Sequence, residues 1–236
     1  MNIIEGNLIT VQNGIREAAK QAGREPEEIL LCAVTKTRTS EEINQAIACG
    51  VTDIGENKVQ EILDKYDYVA SCRWHLIGHL QTNKVKYIID KVFLIHSVDS
   101  LKLAREIQRR CEQHSLEMNI LIQVNPALEE SKFGVPVDET ILLAKNILEE
   151  CPNIRIKGLM LIAPFAEDPE EVRPYFRQVG KLYRQMQEWT EPHLEMKYLS
   201  MGMSHDYSVA ISEGANIVRI GTAIFGERDY SNLTSQ

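Results

Sequence analysis

Lys36 closes an apolar run, ILLCAVTK at residues 29–36, which has the length and composition of a strand covered on both faces. A lysine at the end of such a run is costly unless it reaches water or performs a task. Desolvation and the nearby cation Arg38 would hold more of its amine in the neutral form that attacks an aldehyde or ketone. An ordinary loop lysine fits this position equally well, so Lys36 is a candidate nucleophile that needs further support.

Two glycine-containing segments near the C-terminus are candidates for binding a phosphate group. One is SMGMS at residues 200–204, and the other is GTAIFG at residues 221–226. Small residues that precede a helix leave backbone N–H groups free to receive a dianion. Each glycine could simply permit a turn, but two such segments that follow successive strands favour the phosphate interpretation.

Arg219 interrupts the apolar segment IVRI at residues 217–220. Strand alternation places it on the opposite face from Val218 and Ile220. A guanidinium held there must face an anion or a hydrogen-bond acceptor, and a structural salt bridge is the alternative explanation.

His75 and His79, in the sequence WHLIGH, raise the question of a metal site. Residues spaced i and i+4 share a face only in a helix, whereas WHLIG has the character of a strand. No third ligand lies at a suitable spacing. We therefore predict that no metal is bound.

The elements that position these residues follow from the apolar periodicity. Apolar residues spaced by three and four between Ile4 and Ala22 indicate an amphipathic helix, and Thr39 with Glu42 has the spacing of a capping box. After the first strand, further strands are predicted at 53–56, 74–78, 92–98, 119–125, 156–163, 198–203 and 216–221. Helical segments are predicted near 57–70, 81–90, 99–115, 138–150, 168–188 and 204–213.

This alternation predicts the α/β class, with a single (β/α)8 TIM-type barrel and an extra N-terminal helix forming one domain over residues 1–236. The rival architecture is a doubly wound open sheet. However, the turn after the first strand reads Lys36-Thr37-Arg38 where a nucleotide-binding fold carries G-x-G-x-x-G. In a barrel, the C-terminal ends of the strands carry the functional groups, which would gather Lys36, Asn57, Arg219 and the two glycine segments at one mouth.

Composition excludes several classes of partner and compartment. The formal net charge of −8 argues against nucleic acid or an anionic membrane as the main partner. The five cysteines are scattered without a C-x-x-C pair, as in reduced intracellular proteins. No secretory signal is apparent at the N-terminus, and no apolar run approaches the ~18 residues that span a bilayer. We predict a cytoplasmic protein without a membrane partner.

Several motifs, in order along nearly the whole chain, resemble the YggS/PROSC family of pyridoxal phosphate homeostasis proteins. The family is similar to the N-terminal barrel of bacterial alanine racemase without its second domain. The resemblance rests on AVTK ending at Lys36, GENKVQE around Asn57, WHLIGHLQTNK at 74–84, SKFG at 131–134, GLMLIAPF at 158–165, LSMGMSHDY at 199–207 and VRIGTAIFG at 218–226.

The resemblance implies pyridoxal 5'-phosphate as cofactor and a role for each matching residue. Lys36 would form the internal aldimine, Arg219 would face the pyridine nitrogen, and Asn57 would line the cofactor pocket. The residues implied around the phosphate and its loop are Ser200, Met201, Gly221 and Thr222. Family members differ at His79, so no role is carried over to it.

The resemblance further implies a non-catalytic protein of pyridoxal phosphate homeostasis that affects amino-acid and keto-acid balance indirectly. An arginine at the pyridine nitrogen makes the cofactor a weak electron sink. Alanine racemase uses a tyrosine from its second domain as an extra base, and we expect no counterpart of that tyrosine here. The alternatives are a pyridoxal-phosphate-dependent amino-acid racemase and a cofactor-free Schiff-base aldolase. Expected partners are pyridoxal phosphate and apo-enzymes that receive it, and we expect a monomer.

Overall fold

Eight parallel strands close into a barrel in sequence order, and helices cover its outside. The computed structural model describes residues 2–129 and 132–227, so Ser131 of the SKFG motif lies outside these ranges. The strands are β1 (Leu30–Val34), β2 (Asp53–Glu56), β3 (Arg73–Leu76), β4 (Leu94–Val98), β5 (Met118–Val124), β6 (Ile154–Leu161), β7 (Leu194–Ser200) and β8 (Ile217–Ile220). The predicted (β/α)8 architecture with an extra N-terminal helix is confirmed.

The helices connect these strands on the outer face of the barrel. They are α1 (Ile3–Gln21), α2 (Ser40–Ala48), α3 (Val59–Lys65), α4 (Leu101–His114), α5 (Val137–Glu150), α6 (Arg173–Gln187), α7 (Tyr207–Ser212) and α8 (Thr222–Phe225). Short 3₁₀ helices occupy Pro26–Glu28, Tyr66–Tyr68, Thr82–Tyr87 and Pro169–Val172. In the described part of the chain, no helix combines the length and apolar character needed to cross a membrane.

The extra helix α1 is defined by its ends and by one buried stripe. Asn2 and Glu5 form a capping box at its start. Leu8, Val11 and Ile15 are buried along one face. This face packs against α7 and α8, so the first helix covers the last two helices described and supports the loops after β7 and β8.

Strand alternation divides the core into two layers. Side chains such as Cys32, Leu94 and Ile217 meet inside the barrel, whereas those such as Val218 and Ile220 pack between the sheet and the helices. At the closure, Cys32 lies in register with Asp53 on one side and with Arg219 on the other. Those two charged residues therefore share the interior face, as the alternation argument predicted for Arg219.

Several predicted boundaries were wrong, and three of them bear on the site or show why the prediction failed. The helix predicted at 81–90 is the 3₁₀ helix Thr82–Tyr87. Strand β7 begins at Leu194, four residues before the predicted start at Tyr198. The prediction missed these first residues because exposed polar side chains alternate with half-buried ones there, as in a loop. Strand β1 ends at Val34, so Lys36 lies in the following turn, where Thr37 adopts a left-handed φ of 65°.

Candidate functional site

Two adjoining cavities open at the C-terminal mouth of the barrel, where the predicted site residues converge. The basic cavity, of about 230 Å³, is lined by Val34, Lys36, Arg38, Met203, Ser204, His205, Arg219, Gly221 and Thr222. The apolar cavity, of about 330 Å³, is lined by Val34, Lys36, Asn57, Ile77, Gly78, His79, Gln123, Lys132, Phe133, Ile162, Met203 and Arg219. Lys36 and Arg219 line both, so one elongated ligand could contact both side chains.

The backbone on each side of Lys36 is held by a network of charged side chains. The Thr37 N–H donates to Glu61 Oε2 at 2.6 Å, and the Thr35 carbonyl accepts from Lys65 Nζ at 3.0 Å. Lys65 Nζ also donates to Glu61 Oε2 at 2.8 Å, which joins the two contacts. The half-buried Lys36 therefore projects from a fixed turn into the mouth.

Arg219 reaches the same mouth from β8 and is 4% exposed. Its Nη1 donates to Ser200 Oγ at 2.7 Å, and its Nη2 donates to the Leu161 carbonyl at 2.8 Å. Across residues 2–129 and 132–227, no carboxylate oxygen lies within 4 Å of this guanidinium. Burial lowers the pKa of Arg219 to about 10, so the group keeps its charge at neutral pH. Its charge is available to a ligand in the cavities.

The basic cavity is electrostatically suited to an anion although the whole chain is acidic. Its lining holds Lys36, Arg38, Arg219 and His205 and contains no acidic residue in the described part of the chain. Arg38 Nη2 donates to the Gly226 carbonyl at 2.6 Å, which fixes this cation beside the cavity. Cations that converge in a partly enclosed site attract an anion more strongly than the same cations dispersed in water.

Backbone geometry adds hydrogen-bond donors to this cavity. The amides of Ser204 and Thr222 have no acceptor among the described residues. A Cβ built on Gly221 would lie 3.1 Å from Val34 Cβ and from the Val34 carbonyl oxygen, so a larger residue would crowd β1 at the cavity wall. The loops after β7 and β8 thus offer the N–H groups and the space that a phosphate requires.

The apolar cavity lies beside Lys36, and most of its exposed wall is apolar. Asn57 borders it, and an ideal Cβ on Gly78 would lie 2.7 Å from Asn57 Cα, so only glycine lets these two loops meet. The His79 ring stacks on Phe133 with centroids 3.7 Å apart. Lys132 Nζ donates to the Ala163 carbonyl at 3.0 Å. Such a cavity suits a planar ring bearing few polar groups.

The structure brings together five of the seven predicted site residues. These are Lys36, Asn57, Arg219, Gly221 and Thr222, all of which line the two cavities.

The placement of the other two differs from the expectation that they contact the cofactor. Ser200 is completely buried below the mouth, and its hydroxyl is engaged by Arg219 and by His96 Nδ1 at 3.0 Å. Met201 is also completely buried, in the apolar layer between the sheet and the helices. Alternation explains the placement of Met201, because consecutive residues at the end of β7 face opposite layers, and Ser200 faces the interior but lies too deep to line the cavities.

Ser204 and His96 received no individual role in the sequence analysis. Ser204 lines the basic cavity, and it belongs to the SMGMS segment that was predicted to bind phosphate. His96 is completely buried inside the barrel. Its signal was a polar residue within an otherwise apolar strand, which a buried strand tolerates only with a hydrogen-bond partner.

Comparisons with known proteins show which family this chain resembles. The family model described as the alanine racemase N-terminal domain matches residues 7–229. A pyridoxal phosphate homeostasis protein from Aquifex aeolicus is 46% identical over 232 residues, which are 98% of this chain and 100% of that protein. A protein of the same name from Escherichia coli K12 is 40% identical, covering 98% of this chain and 99% of that protein.

A solved structure shows the same similarity in three dimensions. PipY from Synechococcus elongatus, described as having pyridoxal phosphate bound, superposes with a TM-score of 0.82 at 30% identity. The match covers 94% of this chain and 100% of that chain. With its closed barrel and its basic mouth, this chain belongs to the alanine racemase N-terminal domain family and, within it, to the pyridoxal phosphate homeostasis proteins.

Proposed function

We propose that this chain binds pyridoxal phosphate through Lys36 and serves in pyridoxal phosphate homeostasis without catalysing a reaction of its own. The observation that carries this proposal is the basic cavity, where an amine and three further basic side chains meet without an acidic residue in the described lining. The names of the Aquifex aeolicus and Escherichia coli relatives support it, and so does the ligand described for PipY.

The basic cavity fits the phosphate group of the cofactor. The backbone amides of Ser204 and Thr222, which have no acceptor among the described residues, can donate to phosphate oxygens. Gly221 has no side chain, so its backbone can lie close to Val34 at the cavity wall. Arg38 adds a fixed positive charge at the rim. We assign the phosphate to these groups, whereas Ser200 contributes indirectly by holding Arg219.

The apolar cavity fits the pyridine ring, with Val34, Ile77 and Ile162 as apolar walls and Asn57 at the edge. Bound pyridoxal phosphate supplies an aldehyde that the Lys36 amine can hold and a ring that withdraws electrons. Arg219 lines both cavities and would face the ring nitrogen. Its guanidinium can donate a hydrogen bond to that nitrogen but cannot accept one.

The same arginine argues against catalysis. A pyridine ring withdraws electrons most strongly when its nitrogen is protonated, and a charged neighbour opposes that protonation. With a pKa of about 10, Arg219 stays positively charged at physiological pH. We therefore propose that Lys36 and the mouth store and release the cofactor, with apo-enzymes as recipients. Lys36 is half-buried, so a bound cofactor would remain accessible from the mouth.

The first test of this proposal is covalent mapping of the cofactor. The purified protein, loaded with pyridoxal phosphate, should absorb in the visible region. Borohydride reduction should then leave a pyridoxyl group on the peptide that contains Lys36. Lys36→Ala should lose the visible absorbance and remain folded, because a side chain at the mouth contributes little to packing. The exposed Lys86 provides a matched control, since Lys86→Ala should leave the spectrum unchanged. An unchanged spectrum in Lys36→Ala would refute the assignment.

A second measurement separates homeostasis from catalysis. We expect the loaded protein to transfer its cofactor to an apo-enzyme and restore that enzyme's activity. We also expect no enzyme-like exchange of amino-acid α-protons in deuterated water. Fast exchange or interconversion of D- and L-amino acids would overturn the non-catalytic proposal and favour the racemase alternative. Absence of transfer would contradict the role in supply.

A further inference from the structure

A line of buried polar side chains crosses the inside of the barrel from the start of β2 to the mouth. Asp53, His75, His96, Ser200 and Arg219 are each at most 4% exposed. His75 Nε2 lies 2.8 Å from Asp53 Oδ1, and His75 Nδ1 lies 2.8 Å from His96 Nε2. His96 Nδ1 lies 3.0 Å from Ser200 Oγ, which lies 2.7 Å from Arg219 Nη1. Five strands, β2, β3, β4, β7 and β8, each supply one residue of this continuous hydrogen-bond chain.

The donor at one end fixes the direction of the first bond, and the need of every buried proton for an acceptor fixes the direction of the others. A guanidinium only donates, so Ser200 Oγ accepts from Arg219. The Ser200 hydroxyl proton is then directed to His96 Nδ1, which must be an acceptor, and His96 carries its proton on Nε2. His96 Nε2–H donates to His75 Nδ1, and His75 Nε2–H donates to Asp53. Both histidines are therefore neutral Nε2–H tautomers in this arrangement, and both ring nitrogens of each histidine and the Ser200 hydroxyl have partners.

The reverse arrangement leaves a buried proton without an acceptor. If His75 were a cation, its Nδ1–H would donate to His96, and His96 Nδ1–H would donate to Ser200. Ser200 would then accept from both His96 and Arg219, and its own proton would have no acceptor among the described residues. An unsatisfied buried donor is costly, so the forward direction is preferred. Burial, together with the neighbouring His75 and Arg219, also lowers the pKa of His96 well below its ordinary value.

Asp53, at the end of the hydrogen-bond chain farthest from the mouth, is held by several donors. Asp53 Oδ1 and Oδ2 accept from Arg73 Nε at 2.7 Å and Arg73 Nη2 at 2.6 Å, and Oδ2 also accepts from Thr52 Oγ1 at 2.7 Å. Arg73 begins β3, and its side chain is 45% exposed. The carboxylate thus stays ionised at the base of the barrel while Arg219 stands at the mouth. Arg219 is oriented by dipoles in place of an adjacent carboxylate, so its charge is not neutralised where it meets a ligand.

We propose that Ser200, His96, His75 and Asp53 are positioning residues that hold the Arg219 guanidinium through a one-way hydrogen-bond chain. The orientation of the chain is a property of the unliganded protein. Its effect on a bound ligand rests on the proposed function, in which Arg219 faces the ring nitrogen of pyridoxal phosphate.

Nitrogen NMR of the histidine rings in the unliganded protein tests the direction of the chain. We expect the signals of His75 and His96 to show a pyridine-type Nδ1 and a protonated Nε2 at neutral pH. This measurement needs no variant and no cofactor, so it stands whether or not the proposed function is correct. An Nδ1–H tautomer or a charged ring at His96 would overturn the proposal.

Two substitutions at one position test the link to Arg219. Ser200→Ala removes the hydroxyl that Arg219 and His96 share. The NMR signals of Arg219 Nη1 and Nη2 should then show free rotation of the guanidinium group, and His96 should populate both neutral tautomers. Ser200→Thr retains a hydroxyl and should restore both signals. Normal Arg219 and His96 signals in Ser200→Ala would contradict the proposal. If Ser200→Ala does not fold, the tautomers of the unmodified protein still decide the question.

Pyridoxal phosphate provides the readout of ligand positioning. We expect Ser200→Ala to shift the pH midpoint of the bound cofactor's absorbance and to bind the cofactor roughly 10- to 100-fold more weakly, as for loss of one hydrogen bond to a charged group. Ser200→Thr should restore the midpoint. A role confined to stability would lower the melting temperature without moving this midpoint, which would refute positioning. Absence of cofactor binding by the unmodified protein would refute the proposed function and leave the NMR test intact.

Discussion

Asp53 and Glu56 are carboxylates at opposite ends of the same four-residue strand, and both are completely buried. Asp53 faces the inside of the barrel, and its two oxygens accept hydrogen bonds from Arg73, His75 and Thr52. Glu56 lies on the other side of the strand. Its Oε1 accepts from Thr35 and from Lys65 of α3, whereas its Oε2 has no partner among the described residues.

For this reason the pKa values of the two carboxyls shift in opposite directions. Burial raises the pKa of Asp53, but the hydrogen bonds from His75, Arg73 and Thr52 outweigh it and lower the pKa to about 2. Burial also raises the pKa of Glu56, and there the pairing with Lys65 does not overcome it. The comparison shows that the number of donors to each oxygen, and not burial as such, decides the direction in which the pKa of a buried carboxyl shifts.

The difference also separates two functions in the fold. Asp53 anchors the chain that leads to Arg219. Glu56 belongs with Lys65 and Glu61 to the network that holds the turn carrying Lys36. The two ends of β2 thus support the two cationic residues that line both cavities.

The largest expected effect is that of removing the Asp53 charge. Asp53→Asn leaves the Arg73 and His75 donors without a carboxylate, and we expect the free energy of unfolding to fall by about 3 kcal/mol. This is the lower end of the range for a broken buried pair, because Arg73 can turn toward water. Urea denaturation measures the change. Glu195→Gln, which breaks an exposed pair with Lys157, is the matched control and should cost less than about 1 kcal/mol. Equal losses in the two variants would contradict the comparison.

The second largest expected effect is the loss of stability at low pH that comes from protonation of Asp53. Its pKa falls from the ordinary value of 3.8 to about 2 on folding, so its contribution is fully present above pH 3.8 and is lost as the pH falls through about 2. This shift corresponds to about 2 kcal/mol. Urea midpoints between pH 5 and pH 2 should therefore decrease more steeply in the unmodified protein than in Asp53→Asn. Parallel curves would show that the hydrogen-bond partners of Asp53 do not lower its pKa.

The smallest expected effect is that of Glu56→Gln. Lys65 keeps its contacts with Glu61 and with the Thr35 carbonyl, so we expect a loss of about 1 kcal/mol at pH 5. Because the pKa of Glu56 is raised on folding, its ionisation destabilises the protein as the pH increases above 4.5. The difference between the unmodified protein and Glu56→Gln should therefore shrink between pH 5 and pH 7.5. A difference that grows over this range would show that folding lowers the pKa of Glu56 and would contradict the raised pKa that we assign to it.

Much of the architecture could be predicted from local patterns in the chain. The apolar run at 29–36, the alternation around Arg219 and the capping pair Thr39 and Glu42 each report on residues close in sequence. Such patterns predict elements, faces and strand order well. They are weaker at boundaries, as at Thr82–Tyr87, where hydrogen bonding and not periodicity separates a 3₁₀ helix from an α-helix.

The chemistry of the mouth was predictable to the extent that it follows from strand ends. Lys36, Asn57 and Gly221 lie in the segments directly after β1, β2 and β8, where a barrel collects its functional groups. Ser200 was predicted to lie at the phosphate because its neighbourhood in sequence resembles a phosphate loop. Only the depth of its side chain shows that it lies one layer below the mouth, against His96 and Arg219.

The sequence by itself determined the order of strands and helices, the face of Arg219 and five of the residues that reach the mouth, because periodicity and turn chemistry act over a few residues. Tertiary structure alone decided which buried polar groups meet. His96 and Ser200 are 104 positions apart, and only the closure of the barrel brings their side chains within hydrogen-bond distance. The same closure gives Asp53 its donors and leaves one oxygen of Glu56 without a partner, since hydrogen-bond partners in a barrel interior come from strands remote in sequence.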